Sequence, residues 1–161
     1  MQNSWEGELA QLLGDLSQVQ EALLKLLTRK RELLVAADSA GLAAIAPDEA
    51  RLNDALQHCV DRRQQLLDNA AKEGTTAANL RSLAGKLPKS QRQRFDDDLR
   101  AAHARSRLLR HHSLTNWVLI QRTLLHLSQL LEIIATGGRL QPTYGEGGSA
   151  QTGGVLVDRA V

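Results

Sequence analysis

From Trp5 to Ala37 the apolar residues recur at intervals that alternate four and three. The stripe is Trp5, Leu9, Leu12, Leu16, Val19, Leu23, Leu26, Leu33 and Ala37, with one polar slot at Lys30. This seven-residue repeat keeps one side of an α-helix apolar over its whole length and requires neighbouring helices to cover it. Leu13, Leu24, Leu27 and Leu34 widen the stripe, so the helix faces more than one neighbour. Asn3 or Ser4 suits its N-cap, with Glu6 or Glu8 in the first turn. A run to about Ala37 gives a helix ~50 Å long at 1.5 Å per residue.

The same spacing returns twice. Asp38 or Ser39 can cap a short turn through Leu42 and Ile45, and Pro47 suits the first position of a second helix, with Asp48 and Glu49 near its positive end. Its stripe is Leu52, Leu56, Cys59, Arg63, Leu66 and Ala70, and Gly74 suits the residue just past its end. A short helix over 76–84 with a thin apolar face follows, closed by Gly85. Pro88 opens the last helix, whose stripe runs through Phe95, Leu99, Ala102, Ser106, Leu109, Ser113, Asn116, Ile120, Leu124, Leu127, Leu131 and Ile134 before Gly137-Gly138. The expected fold is all-α: an elongated antiparallel three-helix bundle with coiled-coil-like packing over residues 1–136. A short extra helix precedes the last long one, and a flexible glycine-rich tail follows over 137–161.

Composition agrees. Leucine and alanine supply the apolar content, the only aromatics are Trp5, Phe95, Trp117 and Tyr144, and β-branched residues are few before the last third. The formal net charge is +2, too mild to name a partner. The single cysteine, Cys59, excludes an internal disulfide and fits a reducing compartment. The opening MQNSWEGELAQLL lacks the basic and then apolar segments of a signal peptide. The most apolar stretch, Trp117 to Ala135, is interrupted by Gln121, Arg122, His126, Gln129 and Glu132, so no membrane insertion is expected. These features together give a cytoplasmic protein as the expectation.

No side-chain constellation points to catalysis, a cofactor or a metal. His103 and His111 are two helical turns apart, and His111 and His112 point in different directions. Asp96, Asp97 and Asp98 diverge around their helix and serve its positive end rather than forming a carboxylate pair. Cys59 sits on an apolar stripe, where a buried inert thiol is expected. The basic segment from Arg81 to Arg122 spreads its arginines around the helix without interleaved aromatics, so it reads as solvated surface rather than a nucleic-acid interface. The end of the last helix, LTNWVLIQRTLLHLSQLLEIIA, is different. It is apolar beyond one stripe, through Val118, Leu119, Leu125 and Ile133, and needs cover either from the other helices or from a partner helix lying in a groove.

Three features carry a family resemblance. In LLTRKRELLVAADSAGLAAIAPDEARLNDALQHCVDRRQQLL, leucines are followed by Asp38, a Leu42/Ile45 turn, Glu49, and Arg63 before Leu66 and Leu67. Asn116 precedes a leucine-rich helix end, and in the tail Tyr144 is followed four residues on by Gly148. With these, the chain resembles the FlgN-type flagellar export chaperones from about Leu9 to Gly148, while VLVDRAV beyond the glycines matches nothing in that pattern. The resemblance implies a cytosolic chaperone of the flagellar type III export system, not an enzyme. Its partners would be the C-terminal amphipathic segments of hook–filament junction proteins, kept from premature assembly, and a component of the export gate. Asn116, Leu119, Ile120, Leu124, Leu127 and Leu131 are the expected client-binding residues, with Asn116 fixing register by a side-chain hydrogen bond, and Tyr144 is the expected export-gate contact. Two other readings compete: a self-associating structural coiled coil, and a basic helical nucleic-acid-binding protein.

Overall fold

The computed structural model describes residues 4–137, and all its regular structure is helical: α1 (Ser4–Val35), α2 (Ser39–Lys72), α3 (Leu80–Ala84) and α4 (Lys89–Ala135). No strand occurs among the described residues. Of the tail expected over 137–161, residues 138–161, with Tyr144, lie outside them. By compactness the chain divides into Met1–Thr123 and Leu124–Val161, a boundary inside α4.

α1 and α2 form an antiparallel pair. Lys30 Nζ donates to both carboxylate oxygens of Glu49 at 2.7 and 2.8 Å near one end, and Arg62 pairs with Asp15 farther along. The polar slot in the first stripe is therefore a half-buried ion pair across the seam. The link between the two helices is three residues long. Ala37 adopts φ +53°, and the amides of Asp38 and Ala37 donate to the carbonyls of Leu33 and Leu34 at 3.0 and 3.2 Å. This is a Schellman cap with alanine at the position that glycine usually takes. Asp38 then caps α2, its Oδ1 accepting from the Gly41 amide at 2.8 Å. A Cβ at Gly41 would lie 2.5 Å from Asp38 Oδ2 and 2.6 Å from Leu33 Cδ2, so a larger residue there would have to displace the capping carboxylate and the leucine tip.

Pro47 does not open a new helix. It sits inside α2, which runs unbroken from Ser39. The Asp38 cap and the helix-forming stretch Leu42–Ala46 start the helix two turns early, and the hydrogen bond that proline cannot donate is the local cost. The second stripe also passes through Arg62, bonded to Asp15, and not through Arg63, which is exposed. α2 ends as the sequence indicates: Gly74 is at φ +85°, and the amides of Gly74 and Thr75 donate to Ala71 and Ala70 at 3.0 and 2.8 Å. The short helix is shorter than its apolar pattern, because Asn79 and Ser82 form a reciprocal capping box that fixes its start at Leu80.

The core gathers where the N-terminal half of α1, the C-terminal half of α2, α3 and the start of α4 meet. Trp5, Leu9, Leu12, Leu13, Cys59, Leu66, Leu67, Ala70, Leu80, Leu83, Ala84, Leu87 and Phe95 pack there.

Candidate functional site

α4 is held against α1 by polar contacts that the apolar pattern alone does not reveal. Gln20, 1% exposed, donates through Nε2 to the Ala102 carbonyl at 3.1 Å and to Ser106 Oγ at 2.9 Å. About two turns farther along α1, Asn116 Nδ2 donates to the Leu27 carbonyl at 2.9 Å. Arg105 reaches Glu21 at 3.4 Å. Partner numbers rise together on both helices, so α4 runs alongside α1 in the same direction. The oxygens Gln20 Oε1 and Asn116 Oδ1 are buried without a hydrogen-bond partner. Each amide therefore spends its donor side on this seam and leaves its acceptor side unused. That combination fixes rotation and register at some cost in stability.

The expected client-binding residues fall into three environments. Asn116 is 3% exposed and bonded to α1; its register-fixing hydrogen bond is made inside the chain and is not open to an incoming segment. Leu119 and Ile120 are half-buried. Leu124, Leu127 and Leu131 are open, at 53%, 49% and 67% exposure. From Gln121 to Gly137 every residue is exposed, including Leu125, Leu130, Ile133 and Ile134. The reason is a length mismatch. Where α1 lies beside it, the stripe is buried at Phe95, Ala102 and Asn116 and half-buried at Leu99 and Leu109. After the Leu27–Asn116 contact α1 has eight residues left before it ends at Val35, whereas α4 continues to Ala135. The apolar stripe therefore continues after its intramolecular cover has ended.

By length and composition α4 is also apolar enough to cross a membrane, with an eighteen-residue window of mean hydropathy 1.3. Inspection of uninterrupted apolar runs misses this, because the polar residues from Gln121 to Glu132 are single and widely spaced while leucine fills the intervals. A helix that is apolar around most of its circumference has the same composition when it is made to be enclosed by other helices.

The rest of the described surface offers little chemistry. No group of three or more metal-ligating side chains lies together among the described residues. Cys59 is buried in the core, and desolvation pushes its thiol pKa up, with the Arg62 guanidinium opposing that shift and Asp15 adding to it. The signals for Gln20 were present but weak: it lies four residues after Leu16 and three before Leu23, in the same lattice as the leucines. Trp117, also exposed on α4, lies one heptad before Leu124 and two before Leu131, whereas the exposed Leu114 lies off that stripe.

A family model described as FlgN protein matches residues 1–152. No curated protein and no solved structure gives a significant match to the chain.

Proposed function

Since the chain belongs to the FlgN family of flagellar type III export chaperones, we propose that it binds the C-terminal amphipathic segments of hook–filament junction proteins in the cytoplasm. It would keep them from assembling and deliver them to the export gate. The observation that carries this reading is the uncovered continuation of the α4 stripe. Leu124, Leu127 and Leu131 occupy the same side of the helix as Phe95 and Ala102, yet lack the neighbouring helix that buries those two. An amphipathic client helix laid along Leu124–Ile134 takes the place that α1 holds farther back in an antiparallel three-helix bundle. Its own apolar face is buried in the same act. Such binding needs no catalytic group.

Within this reading Leu119 and Ile120 form the half-covered edge of the groove, and Asn116 sets the azimuth at which the stripe emerges. Tyr144 is proposed as the contact to the export gate, placed by sequence just beyond the client stripe.

The test is isothermal titration of the full chain with the C-terminal segment of each junction protein from the same cell. Leu124→Asp and Leu127→Asp are expected to abolish the heat of binding while leaving the helical circular dichroism intact. Undiminished affinity in either folded variant removes the client stripe from this helix. The competing self-associating coiled coil would show instead as a mass that rises with concentration and no heterologous partner.

A further inference from the structure

The C-terminal end of α4 leads straight from the client stripe into the residues that follow it. Thr136 still donates its amide to the Glu132 carbonyl at 2.9 Å, but Gly137 stands at φ +61°, where the backbone leaves the helical path. The chain therefore departs beside Leu131 and Ile134, the last members of the stripe, which are 67% and 75% exposed.

The sequence beyond Gly137 consists of two unlike pieces. Residues 138–154 hold six glycines, and Leu140 and Tyr144 are their only large apolar side chains. Residues 155–161 read VLVDRAV, five apolar side chains in seven. Leu156, Val157, Ala160 and Val161 recur at the spacing that shares one side of a helix, opposite Asp158 and Arg159. This segment lies beyond the residues that the family model matches.

Its distance along the chain and its length suit it to the stripe. Val155 is eighteen residues past Gly137, a reach of up to ~60 Å at 3.3–3.6 Å per residue. From Gly137 back to Leu124 is only ~20 Å along the helix axis. A segment tethered that closely meets the stripe at an effective concentration on the order of millimolar. Seven residues make about two helical turns, whereas the stripe from Leu124 to Ile134 runs for about three. The segment thus covers part of the stripe, and a longer client helix that covers all of it buries more apolar area and displaces it.

Taking the stripe as the client site proposed above, we propose that residues 155–161 lie against Leu124, Leu127 and Leu131 in the client-free chain and give way when client binds. The contact is an intramolecular placeholder. It keeps an open leucine stripe from other apolar surfaces and sets a threshold that only a better-covering helix passes. Apparent client affinity is the intrinsic affinity multiplied by the fraction of chains whose stripe is open, so a placeholder that closes about two-thirds of them weakens client binding about threefold.

The test compares the full chain with its Leu156→Asp, Val157→Asp double variant. Amide hydrogen exchange over residues 124–135 is followed without client, and titration calorimetry is run with the junction-protein segments. The double variant is expected to exchange about threefold faster or more and to bind the segments about threefold more tightly or more. Asp158→Asn with Arg159→Gln removes the charges and keeps the apolar side, and is expected to match the unchanged chain in both measurements. With Leu124→Asp already present, the double variant is expected to alter exchange no further. Equal or slower exchange in the double variant overturns the proposal. So does a difference that vanishes on dilution, which would assign the contact to a second copy, and so does faster exchange with unchanged client affinity. If the client reading itself is wrong, the junction-protein segments give no heat with either chain, while the exchange difference persists and upholds the contact.

Discussion

Phe95 and Leu131 occupy the same side of one helix: thirty-six positions separate them, about ten full turns at 3.6 residues per turn. They differ in what lies opposite. Phe95 is 6% exposed within the main core, and Leu131 is 67% exposed. Truncating a buried phenylalanine to alanine removes its transfer energy and leaves a cavity, a loss of about 3–5 kcal/mol. Truncating an exposed leucine away from special backbone features changes stability by no more than about 0.5 kcal/mol. For a chain of this size, each kcal/mol moves the melting midpoint by about 2–4 °C. Phe95→Ala is therefore expected to lower Tm by about 6–20 °C and Leu131→Ala by no more than about 2 °C, both followed by circular dichroism at 222 nm. Urea titration at constant m-value should give the same ordering. In titration with the junction-protein segments, Leu131→Ala is expected to weaken binding. A Leu131→Ala loss as large as that of Phe95→Ala would mean that Leu131 is buried within the chain, and the client stripe would have to be abandoned.

Asn116→Leu removes one seam hydrogen bond and one buried, unpartnered oxygen together, so its effect on stability is expected within about 1 kcal/mol by urea titration; a loss above about 3 kcal/mol would show that Oδ1 has a partner. Ala37→Gly relieves a left-handed alanine at the α1 cap and is expected to stabilise by about 0.5–1 kcal/mol, and a loss of stability would show that the link is built differently. The Cys59 thiol has its pKa raised in the folded chain, so the native state retains its proton longer than the unfolded state does. Stability is therefore expected to be independent of this group below pH ~8.5, the unfolded value, and to fall as pH rises above it. The same burial is expected to slow its reaction with Ellman's reagent by more than about tenfold relative to the chain in guanidinium, with equal rates counting against a core position.

The helices were legible because their signals are local and redundant. The regular first stripe, Gly74 past the end of α2 and Gly137 past the end of α4 each reflect a rule that a few neighbouring residues decide. Pro47 does not mark a helix start because a proline is compatible with either a helix start or a helix interior, and what decides between them is the Asp38 cap nine residues before it. In the candidate site, composition alone showed that the end of α4 needed covering. Two facts about α1 decided which of its residues are open: where it ends, and which α4 residue lies beside Leu27. Neither is encoded near Asn116 or Leu124, so a residue expected to meet a client met α1 instead. Gln20 escaped notice for the same reason, since its partners lie more than eighty positions away.

The three-residue link between α1 and α2 also has a consequence in time. Closing so short a loop loses little chain entropy, and the Lys30–Glu49 pair spans only nineteen positions. The α1–α2 hairpin is complete once residue 72 has been synthesised, well before α4 exists. The contacts that hold α4 span 82 to 89 positions and have to wait for it. A nascent chain therefore presents a preformed two-helix cradle, with the Gln20 amide and the Leu27 carbonyl already in place, and the helix that carries the proposed client stripe docks last.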